Sequence, residues 1–94
     1  MSPDELISVV IPTYNRAGTL KRAVDSVLNQ DYRNIEVTVV DDASSDGTGE
    51  ILAAIPDPRL RVVVHDTNRG VSAATNTGIR AARGAYVAVQ DSED

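Results

Sequence analysis

The chain has 94 residues, a length that suits one domain with a single core of modest size. Apolar residues make up 41% of it, which favours a folded protein over a disordered one, and its net charge is −5. This acidic balance argues against a nucleic-acid-binding protein, which ordinarily carries a basic excess. The absence of cysteine excludes disulfides, zinc–thiolate sites and cysteine nucleophiles.

Four short runs rich in β-branched and other apolar residues recur along the chain, at residues 7–11, 37–40, 61–64 and 85–89. Nearly continuous apolar runs of this length are typical of strands that are buried on both faces of a parallel sheet. No apolar run approaches the length of a membrane span, and the first five residues lack the basic and apolar regions of a signal peptide. We therefore expect no membrane segment in this chain and a cytoplasmic location.

Three stretches with helical character separate the four runs. The first carries a single apolar stripe at helical spacing, formed by Leu20, Ala23, Val24, Val27 and Leu28. The second is expected from about residue 47 to residue 54, after a cluster of N-capping residues that includes Asp46. The third is expected over residues 71–82, where alanine and glycine would let it lie close to the sheet, with a stop at Gly84.

The alternation β-α-β-α-β-α-β predicts an α/β fold: a Rossmann-like parallel sheet with right-handed crossovers and the strand order 3-2-1-4. We expect one domain over residues 1–94. Because the chain stops directly after a predicted strand, we expect a truncated domain whose half-covered sheet exposes an apolar face or edge.

Polar residues follow three of the predicted strands, at residues 12–16, 41–44 and 91–94. Ligands of doubly wound sheets bind beyond the carboxyl ends of the strands, where the strand order reverses. The fold would therefore bring Tyr14, Asp42 and the terminal acidic residues together. Tyr14 is either a half-buried core residue or a platform on which a base stacks.

The terminal segment Asp91-Ser92-Glu93-Asp94 has two interpretations. Carboxylates this close together after a strand can face a hard cation such as Mg²⁺ or Mn²⁺, which would neutralise a diphosphate. The competing interpretation is a solvated acidic tail, and the tetrapeptide taken alone favours it.

Asp41 and Asp42 also have two interpretations. At a strand-to-helix junction they commonly act as turn and cap residues, and taken alone this is the stronger interpretation. In the other, one carboxylate accepts a hydrogen bond from a base or ribose, since an ionised carboxylate suits a donor such as the uracil ring N–H. His65, the only histidine, is expected to lie away from this crevice, without a catalytic role.

The order and spacing of these segments resemble the family 2 glycosyltransferases, which have the GT-A fold. The resemblance covers essentially the whole chain, and the combination is far more specific than any one motif. It is carried by residues 9–15 (VVIPTYN), 26–30 (SVLNQ), 36–37, 39–48 (VVDDASSDGT), 68–74 (NRGVSAA), 76–79 and 84–87.

The resemblance implies the N-terminal half of a GT-A fold that binds a nucleotide-diphosphate sugar. It further implies a UDP-linked sugar, a divalent metal (Mn²⁺ or Mg²⁺) and inverting transfer to an acceptor hydroxyl. Pro12 and Tyr14 match positions that line the base. Asp42 matches the carboxylate that contacts the base or ribose, and Asp41 is its neighbour.

The resemblance also assigns the terminal acidic residues. Asp91 would face the ribose and diphosphate, and Glu93 would bind the metal directly or through water. Three positions depart from the family pattern: Glu93 replaces an aspartate, Gln90 an apolar residue, and Thr75 an arginine. The family's general base lies later in the sequence than Asp94, so no catalytic residue is assigned here and we expect the isolated chain to be inactive.

Two other hypotheses follow from the same residues. The chain could be an inactive fragment that keeps the fold and self-associates as a homo-oligomer through the exposed edge or face of its sheet. A phosphoacceptor receiver domain is disfavoured, because receivers place their acidic pair after the first strand and need a later lysine. Here the pair follows the second predicted strand, and the only lysine is Lys21.

Overall fold

The computed structural model describes residues 5–92, and within them helices and strands alternate in the predicted order. The strands are β1 (Ile7–Thr13), β2 (Ile35–Asp41), β3 (Leu60–Val64) and β4 (Tyr86–Val89), and the helices are α1 (Ala17–Leu28), α2 (Thr48–Ala53) and α3 (Val71–Ala81). All strand pairs are parallel, in the order β3-β2-β1-β4. The predicted α/β fold and strand order are therefore confirmed.

The centre of the sheet, β1 and β2, is buried on both faces. Val9 and Ile11 of β1 belong to a core cluster with Val37 and Val39 of β2, and α1 covers this face. All five residues of the apolar stripe predicted for α1 are buried. On the opposite face Val10 packs against α3 at Gly78. Each central strand therefore contributes alternate side chains to two layers of helices.

The outer strands differ from the prediction that all four would be buried on both faces. Every residue of β4 is exposed, and on β3 the side chains of Val62 and Val64 are also exposed. The register places Val62 opposite Val39 on the α1 side, whereas Val87 lies opposite Ser8 on the α3 side. The helices contact mainly β1 and β2, so the edge strands remain uncovered among the described residues.

The expected apolar exposure of a half-covered sheet is thus confirmed. Self-association through these valines stays a prediction. Across residues 5–92, no helix has both the length and the apolar character needed to cross a bilayer.

Glycine lets α3 lie close to the sheet, as its small residues predict. A Cβ atom at Gly78 would lie 2.2 Å from Cγ1 of Val10, which is fully buried. Gly84, in contrast, does not end this helix, which stops at Ala81 with Ala82 already extended. Gly84 packs against β1 instead: its N–H donates to the Ser8 hydroxyl at 2.8 Å. The predicted helix stop at Gly84 is therefore wrong.

A buried carboxylate joins the amino-terminal edge of the sheet to the segment after α3. Glu36 accepts a hydrogen bond from the Ser8 hydroxyl at 2.6 Å and another from the Arg83 backbone N–H at 2.8 Å. The Arg83 guanidinium adds contacts at 3.0 Å and 2.9 Å. Burial raises the pKa of Glu36, but the hydrogen bonds from Ser8 and Arg83 outweigh it, so the net pKa lies below the ordinary value.

Replacement of Gly78 by alanine tests the close approach of α3. We expect Gly78→Ala to lower the free energy of unfolding by about 1–3 kcal/mol, because the new methyl group overlaps a stiff β-branched side chain in a packed core. The matched control is Gly49→Ala on α2, where a Cβ meets nothing within 4 Å. That variant should be neutral or stabilised by up to about 1 kcal/mol. Urea denaturation of both measures the difference, and equal stabilities would contradict the packing.

Acid titration tests the Glu36 network. Because the folded-state pKa of Glu36 is depressed, its stabilisation is present above the ordinary pKa of 4.5 and is lost as the pH falls through the folded-state value. We expect Glu36→Gln to lower the free energy of unfolding by about 1–3 kcal/mol at neutral pH and to flatten its decline in acid. The control is Glu50→Gln, the same change at an exposed position. If both variants follow the parent's pH profile, the network does not stabilise the fold.

Candidate functional site

A cleft of about 820 Å³ opens at the carboxyl ends of the strands, within the size range of small-molecule sites. Its lining comes from residues 12–16 at the end of β1 and just after it, Asp42 after β2, part of the segment 68–75 at the start of α3, and residues 89–92 at the end of β4. The strand order reverses here, because β2 and β3 lie on one side of β1 and β4 lies on its other side.

The structure brings most of the residues singled out in the sequence to this cleft. Pro12, Tyr14, Asp42 and Asp91 line it. The Tyr14 side chain is 45% exposed there, which suits a stacking platform better than a core residue. Glu93, the predicted metal ligand, lies outside the described residues.

Asp41 is not among the residues that line the cleft. It is 5% exposed, and its Oδ1 accepts a hydrogen bond from the Ser44 backbone N–H at 2.9 Å. Between them Ala43 adopts a left-handed conformation with φ of 64°. The carboxylate of Asp41 therefore shapes the turn after β2, which is the turn interpretation of this position.

The carboxylate of Asp42 accepts three hydrogen bonds. Oδ1 accepts hydrogen bonds from the His65 ring at 2.7 Å and from the Arg69 N–H at 2.9 Å, and Oδ2 accepts one from the Gly70 N–H at 2.8 Å. Burial raises the pKa of Asp42, but the hydrogen bonds from Arg69, His65 and Gly70 outweigh it and lower the net pKa. The carboxylate is thus an anion bound at the start of α3.

His65 is not remote from the crevice, and that expectation is wrong. It directly follows β3, which pairs with β2, so its ring meets Asp42 at the end of β2. Its other ring nitrogen lies 2.8 Å from the Thr77 hydroxyl of α3. His65 itself does not line the cleft, but it contacts a residue that does.

Asn15 connects the loop after β1 to the loop after β2 by hydrogen bonds. This residue is left-handed, with φ of 51°, and its N–H donates to the Ser44 hydroxyl at 2.9 Å. Its side-chain oxygen accepts the Ser45 N–H at 2.8 Å. The loop after β1 and the loop after β2 are therefore joined by two reciprocal hydrogen bonds.

Asp46 extends the same connection to two helices. Its Oδ1 accepts the Thr48 N–H at 3.1 Å, at the start of α2, but the N-cap position itself belongs to Gly47 and not to Asp46 as predicted. Its Oδ2 accepts the Ala17 N–H at 3.1 Å, at the start of α1. One carboxylate thus pairs with the first residue of both helices.

The segment after β4 is hydrogen-bonded to the first turn of α1. The Thr19 hydroxyl donates to the Ser92 carbonyl at 3.0 Å, and Ser92 is buried. The Gln90 N–H donates to the Val10 carbonyl at 2.9 Å, which continues the pairing of β4 with β1. Sequence reasoning missed Thr19, because no pattern distinguishes its hydroxyl from any other on the first turn of a helix.

The charges around the cleft bear on which ligand it suits. Its charged side chains, among the described residues, are Arg16, Asp42 and Asp91. Because Asp42 already occupies the start of α3, a diphosphate would meet two carboxylates and one guanidinium, and would need a further cation. The buried Thr13 hydroxyl also borders the cleft and has no hydrogen-bond partner among the described residues.

The protein donors fit a cation that is held mainly by its ligand and by water. Within residues 5–92 no group of three or more histidine, aspartate or glutamate side chains is arranged to hold a metal ion. Asp91 supplies one carboxylate at the cleft. Mg²⁺ and similar hard cations commonly bind through one or two carboxylates plus substrate phosphates and waters. One aspartate beside a diphosphate is therefore a chemically reasonable donor set.

Two curated proteins show the similarity in sequence. Over 88 residues the chain is 50% identical to the succinoglycan biosynthesis protein ExoO of Rhizobium meliloti, an alignment that covers 94% of this chain and 25% of that protein. Over 90 residues it is 38% identical to the Escherichia coli UDP-Glc:alpha-D-GlcNAc-diphosphoundecaprenol beta-1,3-glucosyltransferase WfaP, covering 96% and 36%. The chain spans about a quarter to a third of the length of these relatives.

Two solved structures show the similarity in fold. The mannosyltransferase PcManGT from Pyrobaculum calidifontis, solved with GDP-Man and Mn²⁺, matches with a TM-score of 0.86 and 35% identity over 98% of this chain and 29% of its own. TarS from S. aureus, solved with UDP-GlcNAc, matches with a TM-score of 0.86 and 33% identity over 93% and 26%. The sequence profile of glycosyl transferase family 2 matches residues 8–94. With its parallel sheet in the order 3-2-1-4 and its cleft at the strand ends, the chain belongs to glycosyl transferase family 2 and has the N-terminal part of a GT-A fold.

Proposed function

We propose that this chain is the donor-binding part of a glycosyltransferase and that its cleft binds a nucleotide-diphosphate sugar together with a divalent metal. The observation that carries the proposal is the convergence of Tyr14, Asp42 and Asp91 from three strand ends on one cleft. The fold neighbours described above were solved with GDP-Man and Mn²⁺ and with UDP-GlcNAc. The relative WfaP is named for its use of UDP-Glc, which favours a UDP-linked donor.

The base lies against Tyr14 in this proposal. The ring is nearly half exposed at the cleft, so a planar base can stack on it, with Pro12 beside it. Asp42 accepts a hydrogen bond from the base, because its carboxylate is ionised and can only accept. Asp41 has no part in this contact, since its carboxylate turns to Ser44.

The diphosphate lies towards Asp91 at the end of β4. Asp91 would hold the metal beside the diphosphate, together with Glu93, the residue to which the family resemblance assigns the metal. When bound, the cation neutralises the diphosphate and stabilises it as a leaving group. The general base that activates the acceptor hydroxyl for inverting transfer belongs to a later part of the family's sequence, so this chain supplies binding and orientation of the donor.

Calorimetry with UDP tests the proposal. We expect the chain to bind UDP in the presence of Mn²⁺, and a chelator should weaken this binding. Asp91→Asn should weaken it by about tenfold or more, because the metal loses its charged protein ligand. The control is Asp31→Asn, the same change at an exposed position between α1 and β2. An absence of heat with UDP, GDP and TDP sugars alike would refute a donor site in this chain.

The hydrogen bond from Thr19 gives a second test of the same site. Thr19→Val keeps the side-chain shape and removes the hydroxyl that binds the Ser92 carbonyl. We expect the affinity for UDP with Mn²⁺ to fall by about three- to tenfold, the effect of one lost hydrogen bond on the position of Asp91. Thr19→Ser retains the hydroxyl and should bind like the parent. If both variants bind equally well, the contact does not position the acidic segment.

A further inference from the structure

We propose that His65 is a positioning residue for base selection: held by Thr77, it fills one oxygen of the Asp42 carboxylate together with the Arg69 N–H, and a single acceptor position is left for the base. This inference rests on the proposed function, in which Asp42 binds the base. It goes further because it names the residue that limits how many hydrogen bonds Asp42 can accept from the base.

The imidazole of His65 is fixed at both nitrogens. Its side chain is 5% exposed, with Nδ1 2.7 Å from Oδ1 of Asp42 and Nε2 2.8 Å from the Thr77 hydroxyl. Its backbone N–H donates to the Asp41 carbonyl at 2.9 Å, so the main chain is held as well. The ring therefore cannot turn away from Asp42 without the loss of two hydrogen bonds, one of them buried.

The hydrogen bonds also fix the tautomer of the ring. The ionised Asp42 carboxylate has no proton to donate, so Nδ1 carries the hydrogen of this contact. Nε2 then accepts from the Thr77 hydroxyl, 2.8 Å away.

The capacity of the Asp42 carboxylate follows from a count of its partners. A carboxylate offers about four acceptor positions, two on each oxygen. His65 and Arg69 occupy both positions on Oδ1, and Gly70 occupies one on Oδ2. One position on Oδ2 remains for a ligand.

A single acceptor discriminates among bases. Uracil and thymine present one ring N–H between two carbonyl groups, and one acceptor satisfies it. Guanine presents a ring N–H and an adjacent amino group, which together require both carboxylate oxygens. Cytosine has no hydrogen on the corresponding ring nitrogen and would place an acceptor against the carboxylate. The remaining position on Oδ2 therefore selects a uracil or thymine ring.

Calorimetric titration with UDP, GDP and CDP in the presence of Mn²⁺ tests the inference. We expect the parent chain to bind UDP more tightly than GDP and CDP by about tenfold, the value of one correctly paired hydrogen bond. His65→Leu removes the ring N–H that holds Oδ1, so the carboxylate can turn both oxygens towards the base, and the UDP-to-GDP ratio should move towards unity. His65→Asn keeps an N–H donor on the Nδ1 side and should retain the parent ratio. Thermal denaturation of each variant shows whether it is folded at the titration temperature.

Nitrogen NMR of the parent chain supplies a measurement that does not depend on the folding of any variant. Because the chain has one histidine, ¹⁵N-histidine labelling gives a single pair of ring signals. We expect a protonated Nδ1, and a shift of its signal when UDP saturates the site. A ring protonated only at Nε2, or an Nδ1 signal that UDP leaves unchanged, would overturn the inference.

The outcomes separate the two proposals. If the parent chain binds no nucleotide diphosphate, the donor site and the role of His65 are both refuted. If it binds UDP and the UDP-to-GDP ratio is the same in the parent, His65→Leu and His65→Asn, the donor site stands and the role of His65 is refuted.

Discussion

The buried carboxylate of Asp42 is the constraint on which the geometry of the site depends. A charge that is 3% exposed is costly to bury unless hydrogen bonds replace its hydration. Those hydrogen bonds come from the residue after β3 and from the turn before α3. One side chain thus ties the end of β2 to its neighbouring strand and to the helix on the other face of the sheet, and the cleft forms around that junction.

A second buried carboxylate fixes the opposite end of α3. Glu36 holds Arg83, two residues past the helix, against Ser8 on β1. Between these anchors Gly78 sits directly over Val10. The helix is therefore attached to the sheet by polar contacts at both ends and, along its length, by the contact of Gly78 with Val10 and the hydrogen bond between Thr77 and His65.

The sequence was sufficient to predict the element order, because β-branched runs and helical periodicity are local signals. The convergence of Tyr14, Asp42 and Asp91 was also predictable, since it follows from the strand order and the rule for strand ends. The same order places β3 beside β2, so the contact of His65 with Asp42 was within reach but was missed. Thr19 was not predictable, because its contact depends on how α1 rotates against the segment after β4.

Burial of the outer strands was predicted wrongly for a physical reason. Composition reports the preference of a segment for a sheet, not its place within it, so the valines of β3 and β4 look the same as those of β1 and β2. Only the sizes and positions of the helices decide which strands are covered. Val62 and Val64 remain exposed because α1 packs mainly on α2, β1 and β2 rather than on β3.

The reciprocal hydrogen bonds between Asn15 and the serines after β2 have a consequence for motion. The two loops are joined through the left-handed Asn15 on one side and the serines that follow the left-handed Ala43 on the other, so they would move together rather than independently. Tyr14 precedes Asn15 and Asp42 precedes Ala43, so both residues lie next to this junction. The wall that bears Tyr14 and the wall that bears Asp42 would accordingly move as one body, and the gap between them would keep its width while the rim of the cleft fluctuates.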